Sequence, residues 1–191
     1  MEWFDIVDGN GVPTGEVIER AAAHAEGIRH RTAHIWIIRE TEEGTQVLLQ
    51  KRSRNKDSFP GRFDTSSAGH IQAGDEPRES AVRELEEELG IAASPEDLEY
   101  AGTFNIRYEL EFHGKPFRDN EIAFVYVYRK PVSTQQLRLQ KEEVEDAQWF
   151  GLEETYRECL AHNRKFCVPL PGLETLRGYL KKGQADHGGK A

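Results

Sequence analysis

The chain has 191 residues, 37% of them hydrophobic and 31% charged, and carries a net charge of −9 at pH 7. That length supports one sizeable core, and the acidic balance leaves no surplus of Lys and Arg for a grip on a nucleic-acid polymer. No run approaches the roughly 18 apolar residues that read as a membrane-crossing helix, and the opening Met1-Glu2-Trp3-Phe4-Asp5 lacks the basic start and apolar centre of an export signal, so the expected address is the cytoplasm.

Trp3 to Val7 and Val17-Ile18, on either side of Asp8-Gly9-Asn10-Gly11, read as a hairpin within residues 1–20. Ala33 to Ile38 and Gln46 to Gln50 are β-rich and separated by polar residues, as paired central strands are. Lys51 to Gly74, dense in Gly, Pro, Ser and charge, predicts loop with short strands. The period then changes: from Pro77 to Leu89 the apolar Ala81, Val82, Leu85 and Leu89 recur at helical spacing, with Pro77 suited to a first turn and Gly90 to a helix end. Leu98 to Ile106, Tyr108 to Phe112 and Glu121 to Tyr128 read as strands, with His113-Gly114-Lys115-Pro116 as a turn and Gln148-Trp149-Phe150 as a last short strand. Helices near Glu153 to His162 and Leu173 to Lys182 precede a polar tail, 184–191, expected to be flexible. Cys159 and Cys167 are expected as reduced thiols. This order implies a mixed α/β (α+β) sandwich rather than a doubly wound parallel sheet, in one domain over 1–183.

On a helix each residue advances by about 100°, so Glu84, Glu87 and Glu88 share one face beside the apolar stripe. Like charges at i, i+4 spacing cost a helix about 0.2–0.5 kcal/mol each, so the arrangement calls for a cation. Arg83 supplies one charge by an i, i+4 approach to Glu87, and hard divalent ions bind such carboxylate patches. The bland alternative is a solvated acidic face. Gly69 and Gly74, before the helix, let backbone approach a ligand closely.

The stretch from Gly69 to Ile91, GHIQAGDEPRESAVRELEEELGI, resembles the Nudix box. Gly69, Arg83, Glu84, Leu85, Glu87, Glu88, Gly90 and Ile91 fit its pattern, while Asp75 stands where the family has Glu, at a helix entry where Asp can cap. The resemblance implies a Nudix-like α/β/α sandwich with an N-terminal hairpin. It also implies a metal set of Glu84, Glu87, Glu88 and the Gly69 carbonyl, Mg²⁺ or Mn²⁺ as cofactor, and catalytic roles for Glu87, Glu88 and Arg83.

Further similarity, in Phe4 to Asp8, His30 to Trp36, Gln50 to Ser53 and Phe59 to Asp64, points to the branch related to isopentenyl diphosphate isomerase, which holds both isomerases and hydrolases. An isomerase of this type carries a cysteine where this chain has Ala68. By the same resemblance His30 and His70 are each metal-binding or structural histidines, and Arg52, Lys51 and His70 are also substrate-binding candidates. The resemblance also places Glu121, with Asp119, where the isomerases carry an acidic pair, which implies a base or extra ligand there, with Glu142, Glu143 and Glu145 as alternatives. Phe59, Phe63, Tyr108, Phe112 and Phe117 offer rings either for stacking on a base or for sheet packing. The implied activity is attack by an activated water on phosphorus in a small-molecule diphosphate, such as a nucleoside diphosphate derivative. Isoprenoid isomerisation and a non-catalytic ligand-binding module are the rivals, and the fold is compatible with a homodimer.

Overall fold

The computed structural model describes residues 1–56, 58–112 and 114–188, without the side chains of 112, 115, 184 and 186–188. Its elements run β1 (Trp3–Val7), β2 (Pro13–Glu19), α1 (Arg20–Glu26), β3 (His30–Thr41), β4 (Gly44–Arg52), β5 (Phe63–Asp64), β6 (Ser67–His70), α2 (Pro77–Leu89), β7 (Leu98–Phe112), β8 (Lys115–Tyr128), β9 (Val144–Gly151), α3 (Leu152–Leu160) and α4 (Leu170–Gly188). The expected hairpin is β1 with β2, a two-stranded sheet of its own. Arg31 fastens it to the loop that leads into α2: its guanidinium donates to Asp5 Oδ2 at 2.7 Å and to the Asp75 carbonyl at 3.1 Å, and Asp5 accepts the Gly74 amide at 3.0 Å.

The other strands form one mixed sheet in the order β5-β4-β3-β8-β7, with β6 added to β3 and β9 to β4. β3 runs parallel to β8 and antiparallel to β4 and β6. Because successive side chains of a strand face opposite ways, Ala33, Ile35 and Ile37 turn toward Ala81, Leu85 and Leu89 of α2. Trp36 and Ile38 turn the other way, toward Leu152 of α3 and Leu173 and Leu176 of α4. Both faces of β3 are covered, which is why it reads as a nearly continuous apolar run. The result is the expected α/β/α sandwich. His30, Thr32 and His34 share a face with Trp36, so the core face covered by α3 and α4 turns polar at one end of the strand, and there it opens into a cavity.

α2 has the expected bounds: Pro77 stands in its first turn, and Gly90 ends it with φ 69°, a left-handed conformation that glycine adopts freely. Its N-cap is Glu76, without a side-chain capping bond, so Asp75 does not cap the helix as the sequence suggested. α1 was not expected: Glu19 accepts the Ala21 and Ala22 amides at its start, and Gly27 closes it at φ 71°. β7 is one continuous strand paired with β8 along its length, and of the expected turn between them His113 lies outside the described residues. α4 continues to Gly188, well into the expected flexible tail; 189–191 lie outside the described residues. Cys159 and Cys167 are unpaired, and among the described residues no helix is long and apolar enough to cross a membrane.

Leu85 is fully buried where α2 meets β3. Leu85→Ala is expected to cost about 2–5 kcal/mol of stability, read as a lower urea midpoint at unchanged m-value. A loss under 1 kcal/mol would mean that α2 is not packed on the sheet as described.

Candidate active site

The cavity, of about 350 Å³, has a floor of β3 and β6 side chains, acids from α2 on one side, and β7 and β8 side chains on another. On α2 the three box acids behave differently. Glu88 is 7% exposed and accepts from Ser67 Oγ at 2.6 Å, the Ala68 amide at 3.2 Å and Gln50 Nε2 at 3.3 Å, while burial pushes its carboxyl up to about 8. At Glu88, then, the alternative of a solvated acidic face does not hold. Glu87 is exposed at the cavity rim. Glu84 lies between these extremes, and its carboxylate rests against Gly69, where an added Cβ would come within 2.1 Å of Cδ. Burial raises the pKa of Glu84, against the opposing pull of Arg83.

Arg83 organises this edge. Its Nη1 donates to Asp75 Oδ2 at 2.8 Å, its Nη2 to the His70 carbonyl at 3.0 Å and to Glu84 Oε1 at 3.2 Å, and its Nε stands 4.0 Å from Glu87. Asp75, the position that departs from the box pattern, thus serves as an anchor for Arg83.

A second group of donors lies deeper. Ligand atoms of His24, His30, His70 and Glu121 fall within 4.8 Å of one another. His24 and His30 each place Nδ1 on a backbone carbonyl, Arg20 at 2.9 Å and Ile28 at 2.8 Å; a carbonyl only accepts, so Nδ1 carries a proton, and in the neutral form of each ring the lone pair sits on Nε2. Nε2 of His24, His30 and His70 finds no hydrogen-bond partner among the described residues. Glu121 Oε1 is 3.6 Å from His30 Nε2 and 3.4 Å from His70 Nε2, too long for hydrogen bonds and close to the separation of two ligands that share one metal ion. Burial lowers the pKa of His70 and takes His24 down to about 4, which favours neutral rings at both, whereas at His30 burial is outweighed by Glu121 and Asp119 and the pKa is raised. Burial opposes the charge on Glu121, yet His30 and His70, when their facing nitrogens carry a proton, hold its carboxyl well below the usual range. Next to it, burial and the Glu121 charge push Asp119 up to about 8. Phe4 stacks on His30 at 4.8 Å and on His70 at 4.6 Å, and Phe117 stacks on His24 at 4.5 Å, which fixes the ring planes.

The structure brings Gly69, His70, Arg83, Glu84, Glu87, Glu121 and Arg52 to this cavity, with Glu88 bonded behind its floor. Lys51 does not join them: alternation along β4 turns it away, and it pairs with Glu145 at 3.4 Å. Arg52 is held by Asp64 at 3.1 Å and by Ser58 Oγ at 2.7 Å. Glu145 also leaves the cavity, whereas Glu143 lines it, paired with Lys56. Of the aromatics, Phe59, Tyr108 and Phe117 line the cavity, Phe63 is core, and the Phe112 side chain lies outside the described residues. The sequence reading missed Arg20, His24, His34 and Lys56. An alanine-rich stretch ending at Gly27 was the available signal for the helix that carries Arg20 and His24.

A mixed sheet between helices, with a glycine-led acidic helix against its central strand, defines the Nudix architecture. The NUDIX domain model matches residues 28–169, and the chain belongs to that family. It is 41% identical over 170 residues to Nudix hydrolase 3 of Arabidopsis thaliana, covering 88% of this chain and 21% of that protein. It is 38% identical over 143 residues to an uncharacterized Nudix hydrolase of Clostridium acetobutylicum, covering 75% and 66% respectively. The chain thus spans less than two thirds of the length of either relative. In fold it is similar to the crystal structure of DR0079 from Deinococcus radiodurans, with a TM-score of 0.66 at 19% identity, covering 92% of this chain and 98% of that one.

The contact between Gly69 and Glu84 gives a direct test. Gly69→Ala is expected to destabilise the protein by about 1–3 kcal/mol through overpacking. The penalty should shrink in a Glu84→Ala background, so that a double-mutant cycle returns a coupling energy. Additive effects would mean that the carboxylate does not occupy this place.

Proposed function

We propose that the chain is a divalent-metal-dependent Nudix hydrolase that cleaves a diphosphate linkage in a small molecule, a nucleoside diphosphate derivative or a chemically similar compound. The observation that carries this reading is one cavity lined both by the box acids Glu84 and Glu87 and by the cations Arg20, Arg52, Lys56 and Arg83. The residues fit hard cations: Gly69 leaves room for the Glu84 carboxylate, and Arg83 orients it. Glu84 and Glu87, with Glu88 and the Gly69 carbonyl nearby, would hold Mg²⁺ or Mn²⁺. His24, His30, His70 and Glu121 form a nitrogen-rich set that suits Mn²⁺ or Zn²⁺ better than Mg²⁺. Such ions, when bound, would stabilise charge developing on phosphate oxygens and acidify a water.

The protein's own part is positioning and electrostatics. Arg52, fixed by Asp64 and Ser58, presents a rigid guanidinium to a phosphate. Glu88 braces the β6 backbone through Ser67 and Ala68, which keeps Gly69 and His70 in register below the substrate. Glu121 serves as a base or as a ligand, and its charged form is the favoured one. Isomerisation of isopentenyl diphosphate is the weaker reading, because the methyl group of Ala68 can neither donate nor accept a proton.

Three outcomes follow from these roles. Glu84→Gln and Glu87→Gln should each lower kcat/KM by about 10²-fold or more in a phosphate-release screen of nucleotide, dinucleotide and isoprenoid diphosphates with Mg²⁺ or Mn²⁺. Near wild-type rates in both at saturating metal would remove the site assignment. Glu121→Gln should impair turnover more than Glu145→Gln, since Glu145 pairs with Lys51 and Arg54 away from the cavity; the reverse ranking would move the base to the loop before Trp149. Titrating Mn²⁺ into chelator-treated protein should raise Tm, because an ion bound only by the folded state stabilises it by mass action; a flat titration counts against a built metal site.

A further inference from the structure

His34 has no role in the mechanism above, yet it is placed as a ligand-binding group would be. It shares a face of β3 with Thr32 and Trp36, and its register partner across β6 is Ala68. The residue is 6% exposed, lines the cavity, and packs edge-on against Phe104 with ring centres 5.2 Å apart. Its Nδ1 has no hydrogen-bond partner among the described residues. Burial lowers its pKa, so the ring is neutral and offers one donor and one acceptor.

A buried polar group without a partner is costly, and phenylalanine would pack on Phe104 with a similar shape and no such penalty. Packing alone therefore does not account for an imidazole at this point. Thr32 lies opposite His70 and His34 opposite Ala68, so His34 stands two residues, roughly 7 Å, further along the strand than the His70 donor group. His34 therefore lines the cavity floor beyond that donor group, on the side toward Trp36.

We propose that His34 is a specificity residue that hydrogen-bonds an oxygen of the organic group next to the diphosphate, so that the cavity selects hydroxyl-bearing, sugar-like groups over hydrocarbon ones. The inference deepens the hydrolase reading and rests on it. A hydrocarbon against Ala68 would leave the imidazole bare, and a site whose buried polar groups go unpaired discriminates far more strongly than one that only loses apolar contact. A hydroxyl in the same place offers the imidazole a partner, which a turn of the ring brings to the covered Nδ1.

The test uses probes that cannot turn over, so binding is read apart from catalysis. Calorimetry with Mg²⁺ present compares α,β-methylene-ADP with the methylenediphosphonate analogue of isopentenyl diphosphate, in the wild type, His34→Phe and His34→Gln. The wild type is expected to prefer the nucleotide analogue. His34→Phe should weaken that analogue tenfold or more, leave the isoprenoid analogue unchanged or tighter, and melt no lower than the wild type. His34→Gln, which keeps a donor and an acceptor, should recover part of the preference. Equal binding of both probes in wild type and His34→Phe, or an equal loss for both together with a lower Tm, overturns the role of His34 and leaves the hydrolase reading standing. Failure of the wild type to bind either probe overturns both.

Discussion

The approach of α2 to β6 at Gly69 is the contact on which the site depends. A Cβ there would meet the Glu84 carboxylate, so glycine lets that carboxylate rest against the β6 backbone at the cavity, while Glu88 reaches the Ser67 hydroxyl and the Ala68 amide. The apolar stripe Ala81, Leu85 and Leu89 drives the docking, and the two acids fix its depth and rotation. Arg83 then closes the arrangement by bonding the His70 carbonyl, Asp75 and Glu84 together, so that helix, strand and entry loop meet at one guanidinium.

The same logic extends across β3. Its inner face is apolar at Trp36 and Ile38 and polar at His30, Thr32 and His34, a change made in one strand by altering alternate residues. The polar end is energetically expensive: buried imidazoles with free nitrogens and the closely set carboxylates of Asp119 and Glu121 all lose hydration. Burial on both faces of the sheet offsets this, and the rings of Phe4 and Phe117 hold the histidines in place without satisfying their nitrogens. Stability is thus concentrated in the covered part of the sheet and given up at its open end.

The fold class and α2 were legible because their signals are local: a 3.6-residue period, Pro77 at the start and Gly90 at the end. The phase of that helix against the sheet was not. Glu87 and Glu88 are neighbours in sequence, and only the tertiary contact with Ser67 and Ala68 makes one exposed and the other buried. Alternation likewise says that Lys51 and Arg52 point opposite ways without saying which faces the cavity. α1 escaped notice because it is short and opens on Glu19, outside the usual capping residues. With it went His24, whose place in the donor group depends on Arg118 and Asn120 of β8 bonding the Ala25 and Gly27 carbonyls.

These placements bear on how an acidic chain can take up a polyanion. Among the described residues, Glu2, Asp64, Glu84, Glu87, Asp119, Glu121 and Glu143 line the cavity against Arg20, Arg52, Lys56 and Arg83. Each of these cations is already paired with a carboxylate: Arg20 with Glu2, Arg52 with Asp64, Lys56 with Glu143, and Arg83 with Asp75 and Glu84. The pairing holds long side chains in place ahead of binding, which reduces the entropy lost when a phosphate arrives. It also cancels most of their charge, so the protein alone presents a diphosphate with little net attraction. On the proposed reading, an ion held by Glu84 and Glu87 would offset the charge that Arg83 now faces, while Arg20, Arg52 and Lys56 stay held in place by Glu2, Asp64 and Glu143, so the ion supplies most of the attraction for a diphosphate.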